Sequence, residues 1–398
     1  MPEPGFGIEN LPYGVVRRGE APPRPAVRLG DDAIDLHGLG LQSVPAGTFE
    51  RGSLNAFVAL GAEAWRRARE EIAQAVREGR HERHATPLAD CEAVLPVEVG
   101  DYVDFYASIE HASNLGRMFR PDNDPLMPNW RHLPVGYHGR AGTVVVSGTP
   151  IRRPHGQRPP SDPGGAPTFG PEPRLDIELE LGFITGNGKP LGTPIETSEA
   201  REHIFGFVLV NDWSARAIQR WEYQPLGPFL GKSFATSMSP WVVPLDALEP
   251  FRVDGPEQYP APLEYLRTDE PWWFDVALEI VLNGAVVSRT NARHLYWNAA
   301  QMLAHATVNG ATVRAGDLFA SGTISGPEPG TYGSLIELSW GGRDPIQTPR
   351  GERTFLEDGD TVALRGGAGG GGGPVVSLGE VVGTVGRSDP AQPLASPA

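Results

Sequence analysis

The sequence predicts a mainly β protein of the α+β class, with a small N-terminal domain over residues 1–95 and a larger β-rich domain over residues 96–398. Glycine and proline contribute 50 and 40 of the 398 residues, and this composition favours turns and short strands over long helices. Segments that alternate apolar and polar residues recur after residue 96, as is typical of half-buried strands. Only two segments there have a good helical pattern.

Composition and charge narrow the class of protein. The hydrophobic fraction of 39% and the charged fraction of 21% are ordinary for a globular chain, which argues against disorder. A net charge of −15 repels nucleic-acid phosphates and anionic lipids, so neither nucleic acid nor a membrane surface is expected as a partner. Cys91 is the only cysteine, which excludes an internal disulfide and a cysteine metal cluster. With neither a secretory signal nor a long apolar span visible, the sequence predicts a cytoplasmic protein.

In the N-terminal domain we expect strands at 13–17 and 25–29, followed by a helix from Ser53 to Gly79. Ser53 is a suitable N-cap and Gly79 a suitable end. Four apolar residues fall at spacings of a helix face: Trp65, Ala68, Ile72 and Val76.

In the C-terminal domain we expect strands and only a few helices. The predicted strands are 143–147, 175–183, 204–210 and 274–282. Asn283 and Gly284 then form a hairpin turn. The predicted helices are 214–221, capped by Ser214, and 291–308.

Three further segments are read as irregular. The Pro/Gly-rich segment 152–173 is too long for a simple connection, so it is a candidate active-site flap. The glycine run 366–373 is a candidate flexible hairpin tip. The tail after Ser388 is expected to be loose.

The sharpest local feature is the segment LDIELE, residues 175–180. In a strand, Leu175, Ile177 and Leu179 share one face, and the acidic residues Asp176, Glu178 and Glu180 share the other. Neighbouring residues on one face lie about 7 Å apart, so these carboxylates repel each other unless a cation lies between them. Hard divalent ions prefer such oxygen ligands. From the pattern alone, a solvated outer face of the strand is the alternative.

A second candidate begins where the apolar strand 204–210 runs into Asp212, at the rim of a core. On the helix that follows, Arg216, Gln219 and Tyr223 fall at spacings of 3 and 4 and therefore on one face. These side chains form a donor-rich face suited to a carboxylate or an oxyanion. An exposed polar face is equally compatible with the spacing.

A third candidate is the segment 101–111. If it is extended, Asp104 and Tyr106 point to the same side. His111 is one of ten histidines; such a residue is either structural or a general base near neutral pH. Nothing within the segment separates these two roles.

Two common catalytic motifs are excluded. Gly231-Lys232-Ser233 resembles the end of a phosphate-binding loop, but Leu226 occupies the position where that motif requires glycine. The nucleophile motif GxSxG of serine hydrolases does not occur.

Long stretches of the chain resemble the fumarylacetoacetate hydrolase family. They include DYVDFYASIEHASNLGRMFR, LMPNWRHLPVGYHGRAGTVVVSGTPIRRPHGQ, LDIELE, NDWSARAIQRWEYQPLGPFLGKSFATSMSPWVVP, ASGTISGPEP and GSLIELSW. The resemblance covers residue 96 to the end and, more loosely, the N-terminal domain. It implies a small SH3-like N-terminal barrel, a C-terminal mixed β-sandwich or β-roll fold, and a homodimer. It also implies hydrolysis of the carbon–carbon bond of 4-fumarylacetoacetate to fumarate and acetoacetate, the last step of tyrosine breakdown.

The resemblance also implies roles for individual residues. Calcium, or magnesium in its place, would be held by Asp104, Glu178, Glu180 and Asp212, which makes a solvated LDIELE face improbable and leaves Asp176 a structural role. A second magnesium position would be formed by Asp212, Lys232 and Thr236. The general base would be His111, oriented by Glu337. The donors to the oxyanion and the leaving group would be Arg216, Gln219 and Lys232. Contacts to a small dianionic diketo acid would come from Tyr106, Arg120, Tyr137, Gln219, Tyr223 and Thr323.

Two alternatives are weighed against this function. The nearest is another activity of the same superfamily, such as an acylpyruvate or diketone hydrolase or a 2-oxo acid decarboxylase or hydratase. Those relatives share the metal carboxylates but are typically shorter and lack this N-terminal domain. A non-catalytic, calcium-stabilised β protein would need the carboxylates, but would have no reason to keep a His–Glu base and a Lys–Arg–Gln donor set.

Overall fold

The computed structural model describes residues 4–370 and 373–388. The chain is mainly β, as predicted. Its strands are β1 (Tyr13–Arg17), β2 (Arg24–Leu29), β3 (Asp32–Asp35), β4 (Ala85–Pro87), β5 (Glu92–Val94), β6 (Tyr102–Phe105), β7 (Gly136–His138), β8 (Val144–Val146), β9 (Ile151–Arg152), β10 (His155–Arg158), β11 (Thr168–Pro171), β12 (Leu175–Asp176), β13 (Leu179–Thr185), β14 (Ile204–Asp212), β15 (Ser214–Ala215), β16 (Thr236–Met238), β17 (Trp241–Pro244), β18 (Arg252–Val253), β19 (Trp273–Phe274), β20 (Val276–Leu282), β21 (Ala285–Asn291), β22 (Leu318–Ala320), β23 (Ile346–Thr348), β24 (Gly351–Arg353), β25 (Thr361–Gly370) and β26 (Gly373–Gly386).

The α-helices of the described residues are mostly short. They are α1 (Leu36–Leu39), α2 (Asn55–Val58), α3 (Ala62–Arg77), α4 (Ile109–Phe119), α5 (Ala200–His203), α6 (Arg216–Glu222), α7 (Leu245–Leu248), α8 (Ala299–Thr307) and α9 (Leu335–Leu338). Among the residues described, none of these helices has the length and apolar character needed to cross a membrane.

The largest sheet runs through both halves of the chain. Its path is β4-β3-β2-β1-β17-β14-β13-β22-β6-β7, so β1 of the N-terminal segment pairs directly with β17. A second sheet has the order β21-β20-β25-β26-β9. The two sheets pack closely where glycine replaces a side chain: a Cβ on Gly366 would lie 3.0 Å from the Leu209 side chain, and one on Gly383 would lie 2.4 Å from Trp213. Glycines of β25 and β26 therefore allow close approach to β14.

The N-terminal prediction is confirmed in its strands and modified in its helix. The predicted apolar face is buried at Trp65, Ala68 and Ile72. The expected single helix from residue 53 to 79 is, however, two helices, α2 and α3. Gly61 separates them with a φ of 86°, a conformation outside any helix that glycine adopts without strain.

The predicted helix 291–308 was wrong over its first half. Residues up to Asn291 belong to β21, and α8 begins only after Asn298. The Asn298 side chain accepts a hydrogen bond from the Gln301 amide, and the Gln301 side-chain oxygen accepts one from the Asn298 backbone amide. This capping box fixes the start of the helix. The strand 274–282 and its Asn283–Gly284 turn are confirmed, with β20 and β21 paired antiparallel.

Two of the segments expected to be irregular contain strands. Residues 152–173 contain the antiparallel pair β10 and β11, so the segment is a hairpin. Gly366 to Gly370 lie within β25, and of these Gly366 packs closely on Leu209 of β14. Residues 371 and 372 of the predicted hairpin tip, and residues 389–398 of the predicted loose tail, lie outside the described residues.

Candidate active site and metal centre

Four acidic side chains meet at the centre of the main sheet. Asp104 lies on β6, Glu180 on β13 and Asp212 at the end of β14; β14 pairs directly with β13, and β22 lies between β13 and β6. Glu178 precedes β13 and completes the group. Each residue offers a carboxylate oxygen, and these oxygens lie within 4.8 Å of one another. We call these four residues the carboxylate cluster.

The carboxylate cluster is buried, which contradicts a solvated outer face for residues 176–180. Glu180 and Asp212 are 0% exposed and Asp104 is 2% exposed. Burial, with the neighbouring carboxylates, raises the pKa of Asp104 and of Glu180 well above the usual range. The buried oxygens Asp104 Oδ1 and Glu180 Oε1 have no hydrogen-bond partner. Such an arrangement is costly for the protein alone.

Two buried cations border the carboxylate cluster. Lys232 Nζ contacts Glu178 Oε2 and lies 2.8 Å from Asp212 Oδ2. Arg216 Nη2 lies 2.8 Å from Glu178 Oε1. Burial raises the cost of ionising Glu178, but Lys232 and Arg216 outweigh it and hold the pKa of Glu178 well below its usual value. The same carboxylates raise the pKa of Lys232 although burial opposes this.

A histidine–glutamate pair lies beside the cluster. His111 Nδ1 is 2.7 Å from Glu337 Oε2, and His111 Nε2 is 3.9 Å from Glu178 Oε1. His111 is on α4, which the sequence analysis missed. Ser108 caps that helix by accepting a hydrogen bond from the His111 amide. Because the helix begins there, the imidazole is directed inward from its first turn.

Glu337 is held by several donors that the sequence analysis did not identify. Its oxygens accept hydrogen bonds from Asn114 Nδ2 at 3.0 Å, from Ser325 Oγ at 2.9 Å and from Ser334 Oγ at 2.7 Å. Burial would raise the pKa of Glu337, but His111 and these donors lower it. The carboxylate is therefore ionised at neutral pH and its position is fixed. Asn114 follows His111 by nearly one helical turn, a signal available in the sequence once α4 is recognised.

The donor face on α6 is present, but its helix is capped differently from the prediction. Arg216 Nη1 donates to Gln219 Oε1 at 3.2 Å, which directs the amide nitrogen of Gln219 away from Arg216. Ser214 lies in β15 and donates to the Asp212 carbonyl. The amides of Ala217 and Ile218, at the start of α6, instead donate to the Glu172 side chain, at 3.2 Å and 3.0 Å. Because Glu172 is far from α6 in the sequence, local spacing does not reveal this cap.

The predicted substrate residues differ in how closely they approach this centre. The Tyr106 ring packs edge-on against His111, with ring centroids 5.2 Å apart. Tyr137 Oη donates to Asp212 Oδ2 at 3.2 Å. Thr323 is 1% exposed and its hydroxyl has no partner. Arg120 donates to the Pro125 carbonyl. Tyr223 is 40% exposed, and no contact with the carboxylate cluster is seen.

A cavity of about 310 Å³ adjoins this centre. Its wall includes Tyr137, Lys232, Tyr102, Arg140 and Phe229. The volume falls within the range of small-molecule sites. The cavity therefore gives a small ligand access to the Tyr137–Lys232 side of the carboxylate cluster.

The residues of the cluster fit a divalent metal ion. Four carboxylates face one another, and two of their oxygens lack any partner. A hard cation with oxygen ligands would satisfy those oxygens and neutralise the excess negative charge. Thr236 Oγ1 donates to Asp212 Oδ1 at 3.0 Å, so Thr236 and Lys232 both meet Asp212. Their role in a second metal position stays a prediction.

A buried acidic cluster that fits a metal ion, together with a His–Glu pair, defines a class of enzymes that activate water for hydrolysis. Two family models match the chain: one described as "Fumarylacetoacetate (FAA) hydrolase C-terminal" over residues 102–385, and one described as "Fumarylacetoacetase N-terminal" over residues 9–98. The chain belongs to the fumarylacetoacetase family.

Similar proteins span nearly the whole chain. A fumarylacetoacetase of Homo sapiens is 50% identical over 384 residues, covering 91% of each chain. A fumarylacetoacetase of Oryza sativa subsp. japonica is 46% identical over 387 residues, covering 90% of each. A solved fumarylacetoacetate hydrolase from psychrophilic Exiguobacterium antarcticum matches with a TM-score of 0.58 at 16% identity, covering 94% of this chain and 99% of that one. The structural match supports the fold.

Proposed function

We propose that this protein hydrolyses the carbon–carbon bond of 4-fumarylacetoacetate to give fumarate and acetoacetate, the last step of tyrosine breakdown. The observation that carries the proposal is the placement of His111 between Glu337 and the carboxylate cluster. Relatives at up to 50% identity over 91% of the chain bear the name fumarylacetoacetase. The geometry supplies the groups that this hydrolysis requires.

His111 acts as the general base. Glu337 Oε2 lies 2.7 Å from His111 Nδ1; with Nδ1–H donating to this carboxylate, the lone pair of the neutral imidazole is at Nε2, the nitrogen nearer the carboxylate cluster. Nε2 takes a proton from the attacking water as its oxygen adds to a substrate carbonyl. Glu337 remains ionised and stabilises the imidazolium that forms. Tyr106, packed against the ring, limits its rotation.

Arg216, Gln219 and Lys232 stabilise the charge that develops on the substrate. Addition of water produces an oxyanion, to which buried N–H donors bind strongly. The carbon–carbon bond then breaks, and its electron pair passes to acetoacetate as an enolate that takes up a proton. The pKa of Lys232 is raised by Asp212 and Glu178 against the effect of burial, so Lys232 is protonated and donates hydrogen bonds. These donors stabilise the oxyanion and assist protonation of the leaving group.

Five further residues form the proposed substrate contacts. A dianionic diketo acid requires donors for its carboxylates, and hydroxyl and guanidinium groups supply them. Thr323 and Tyr137 are the best placed, since each hydroxyl is close to the carboxylate cluster or buried without a partner. The proposed contact residues are Tyr106, Arg120, Tyr137, Tyr223 and Thr323.

We propose Ca²⁺ or Mg²⁺ as the cofactor, held by the carboxylate cluster. Oxygen-only ligands suit either ion. When bound, the ion supplies Lewis-acid polarisation of the diketone oxygens. Asp212, Lys232 and Thr236 are proposed to form a second, structural magnesium position, supported by the hydrogen bond from Thr236 to Asp212.

A homodimer and a cytoplasmic location complete the proposal. The end of α6 and the segment that follows it expose several large apolar side chains: Trp221, Leu226, Phe229 and Leu230. Such a concentration of apolar surface is typical of a protein–protein interface. Comparing the sedimentation of the wild type with that of Leu226→Lys tests the dimer.

The cysteine content supports the proposed cytoplasmic location, because a single cysteine, Cys91, accords with a reducing compartment.

The test of the function is a spectrophotometric assay for loss of fumarylacetoacetate. The protein is treated with EDTA and then supplied with Ca²⁺ or Mg²⁺. Metal-dependent loss of absorbance with equal recovery of fumarate and acetoacetate supports the proposal. A metal-loaded protein without turnover on fumarylacetoacetate, but active on an acylpyruvate or another diketo acid, would move the function to the superfamily alternative.

A further inference from the structure

Asp176 is the one acidic residue of the LDIELE segment outside the carboxylate cluster. It is 0% exposed and contacts two separate parts of the site. On one side, Arg216 Nε donates to Asp176 Oδ2 at 2.8 Å, and Arg216 Nη2 lies 2.8 Å from the same oxygen. The guanidinium is thereby held by one hydrogen bond and by a second charged contact to the same oxygen.

On the other side, Asp176 binds the start of α9. The Leu335 amide donates to Asp176 Oδ1 at 2.8 Å, and the Ile336 amide donates to Asp176 Oδ2 at 3.1 Å. These are the first two amides of the helix, which have no partner within it. The N-cap residue of α9, Ser334, makes no cap hydrogen bond with its side chain. Asp176 therefore supplies the cap from a distant part of the sequence.

Both contacts connect Asp176 to residues that take part in the proposed mechanism. Arg216 faces Glu178 and orients Gln219. The next residue along α9 after Ile336 is Glu337, which binds His111. One buried carboxylate thus fixes the oxyanion donor and the residue that orients the base.

We propose that Asp176 is a positioning residue that keeps Arg216 and the His111–Glu337 pair in register with each other. It does not touch substrate; it acts through Arg216 and α9. The inference rests on the proposed function, because it assigns Asp176 to that reaction. Its two oxygens accept hydrogen bonds from Arg216 Nε and from the amides of Ile177, Leu335 and Ile336, so these contacts hold Arg216 and the start of α9 on the same side chain.

Asp176→Asn is the first test. The amide keeps the shape but replaces one acceptor oxygen by a donor, which faces either Arg216 or the α9 amides. We expect kcat to fall about 100-fold, as for a catalytic group displaced by about 1 Å, while KM changes less than about 3-fold because the substrate contacts remain. A crystal structure of the variant should show the Arg216 guanidinium withdrawn from Glu178.

Asp360→Asn is the matched control. Asp360 is also 0% exposed, and it binds Arg353 through Nε at 2.8 Å and Nη2 at 3.1 Å and a backbone amide at 2.8 Å. It holds none of the catalytic groups. Asp360→Asn should lower the melting temperature and leave kcat unchanged. Equal kcat values for the two variants would overturn the proposal.

Double variants separate positioning from general weakening of the fold. If Asp176 acts through Arg216 and Glu337, Asp176→Asn should reduce kcat much less in an Arg216→Lys or Glu337→Gln background than in the wild type. The proposal would be overturned if Asp176→Asn reduced kcat by the same factor in these backgrounds as in the wild type.

If Asp176→Asn fails to fold, Asp176→Glu is the deciding variant, because it keeps the carboxylate and displaces it by one methylene. A 10-fold or larger loss of kcat in Asp176→Glu supports the proposal, and wild-type kcat overturns it. Failure of the wild type to hydrolyse fumarylacetoacetate would instead refute the proposed function.

Discussion

His111 Nδ1 lies 2.7 Å from Glu337 Oε2 although 226 positions separate the two residues. Both side chains are buried, at 2% and 1% exposure. The pair is formed by the first turn of α4 and the short helix α9, which the fold brings together beside the carboxylate cluster. This contact places an imidazole, held by a carboxylate, beside a site that fits a metal ion.

His111→Ala should fold and lose most hydrolysis. The imidazole is replaced by a methyl group, but Glu337 retains its donors Ser325, Ser334 and Asn114, so the buried charge remains satisfied. Loss of a general base reduces kcat by about 10²- to 10⁴-fold. Steady-state kinetics with a melting curve checks this, and His305→Ala is the control. Loss of folding or near-normal turnover would contradict the assignment.

Glu180→Gln should change stability in opposite directions with and without metal. Burial and the neighbouring carboxylates oppose ionisation of Glu180, so a glutamine, which does not ionise, removes this cost in the metal-free protein and raises the melting temperature. In excess Ca²⁺ the variant has lost a ligand and should melt below the wild type. Calorimetry in EDTA and in Ca²⁺ measures both. Glu380 is exposed, so Glu380→Gln is the control. The metal site would be contradicted if Glu180→Gln and the wild type had the same order of melting temperatures in both buffers.

Lys232→Met should separate catalysis from metal binding. Removing the ammonium group leaves Glu178 and Asp212 with more uncompensated negative charge, which favours a divalent ion. We expect Ca²⁺ to bind at least as tightly by isothermal titration, while kcat falls about 10²- to 10³-fold through loss of an oxyanion donor. Weaker Ca²⁺ binding would instead show that Lys232 supports the ion at the carboxylate cluster, and not only the proposed second magnesium position.

Asp360→Asn should destabilise the protein with a defined pH dependence. Burial raises the pKa of Asp360. Hydrogen bonds from the Arg353 side chain, the Glu357 amide and the Asn283 side chain outweigh this effect and hold the pKa below 3.8. A lowered folded-state pKa contributes stability above pH 3.8, and that contribution is lost as pH falls through the folded-state value. Urea unfolding should show a loss of about 3 kcal/mol at pH 7 and pH 5 that narrows only below pH 3.8. A loss that disappears between pH 7 and pH 5 would contradict this assignment.

Elements that depend on the spacing of neighbouring residues were predicted well. Hydrogen bonds and ion pairs between residues far apart in the chain were predicted poorly. The apolar face of α3 and the hairpin at Asn283 follow from patterns within a few residues. The helix α4 was missed although Ser108 caps it, because its buried polar residues weaken the apolar pattern. The alternation at LDIELE predicted the shared face of Glu178 and Glu180, but the pattern is the same for a solvated face and a buried site.

The sequence by itself determined the mainly β class and indicated the carboxylates in LDIELE, the donors of α6 and, through resemblance, a proposed set of site residues. Tertiary structure alone decided which of these groups meet. Asp176 lies two positions from Glu178, yet its partners are Arg216 and the amides of α9. Buried charges and free helix ends must find partners wherever the fold places them. Those partners depend on strand order and packing, which no local spacing encodes.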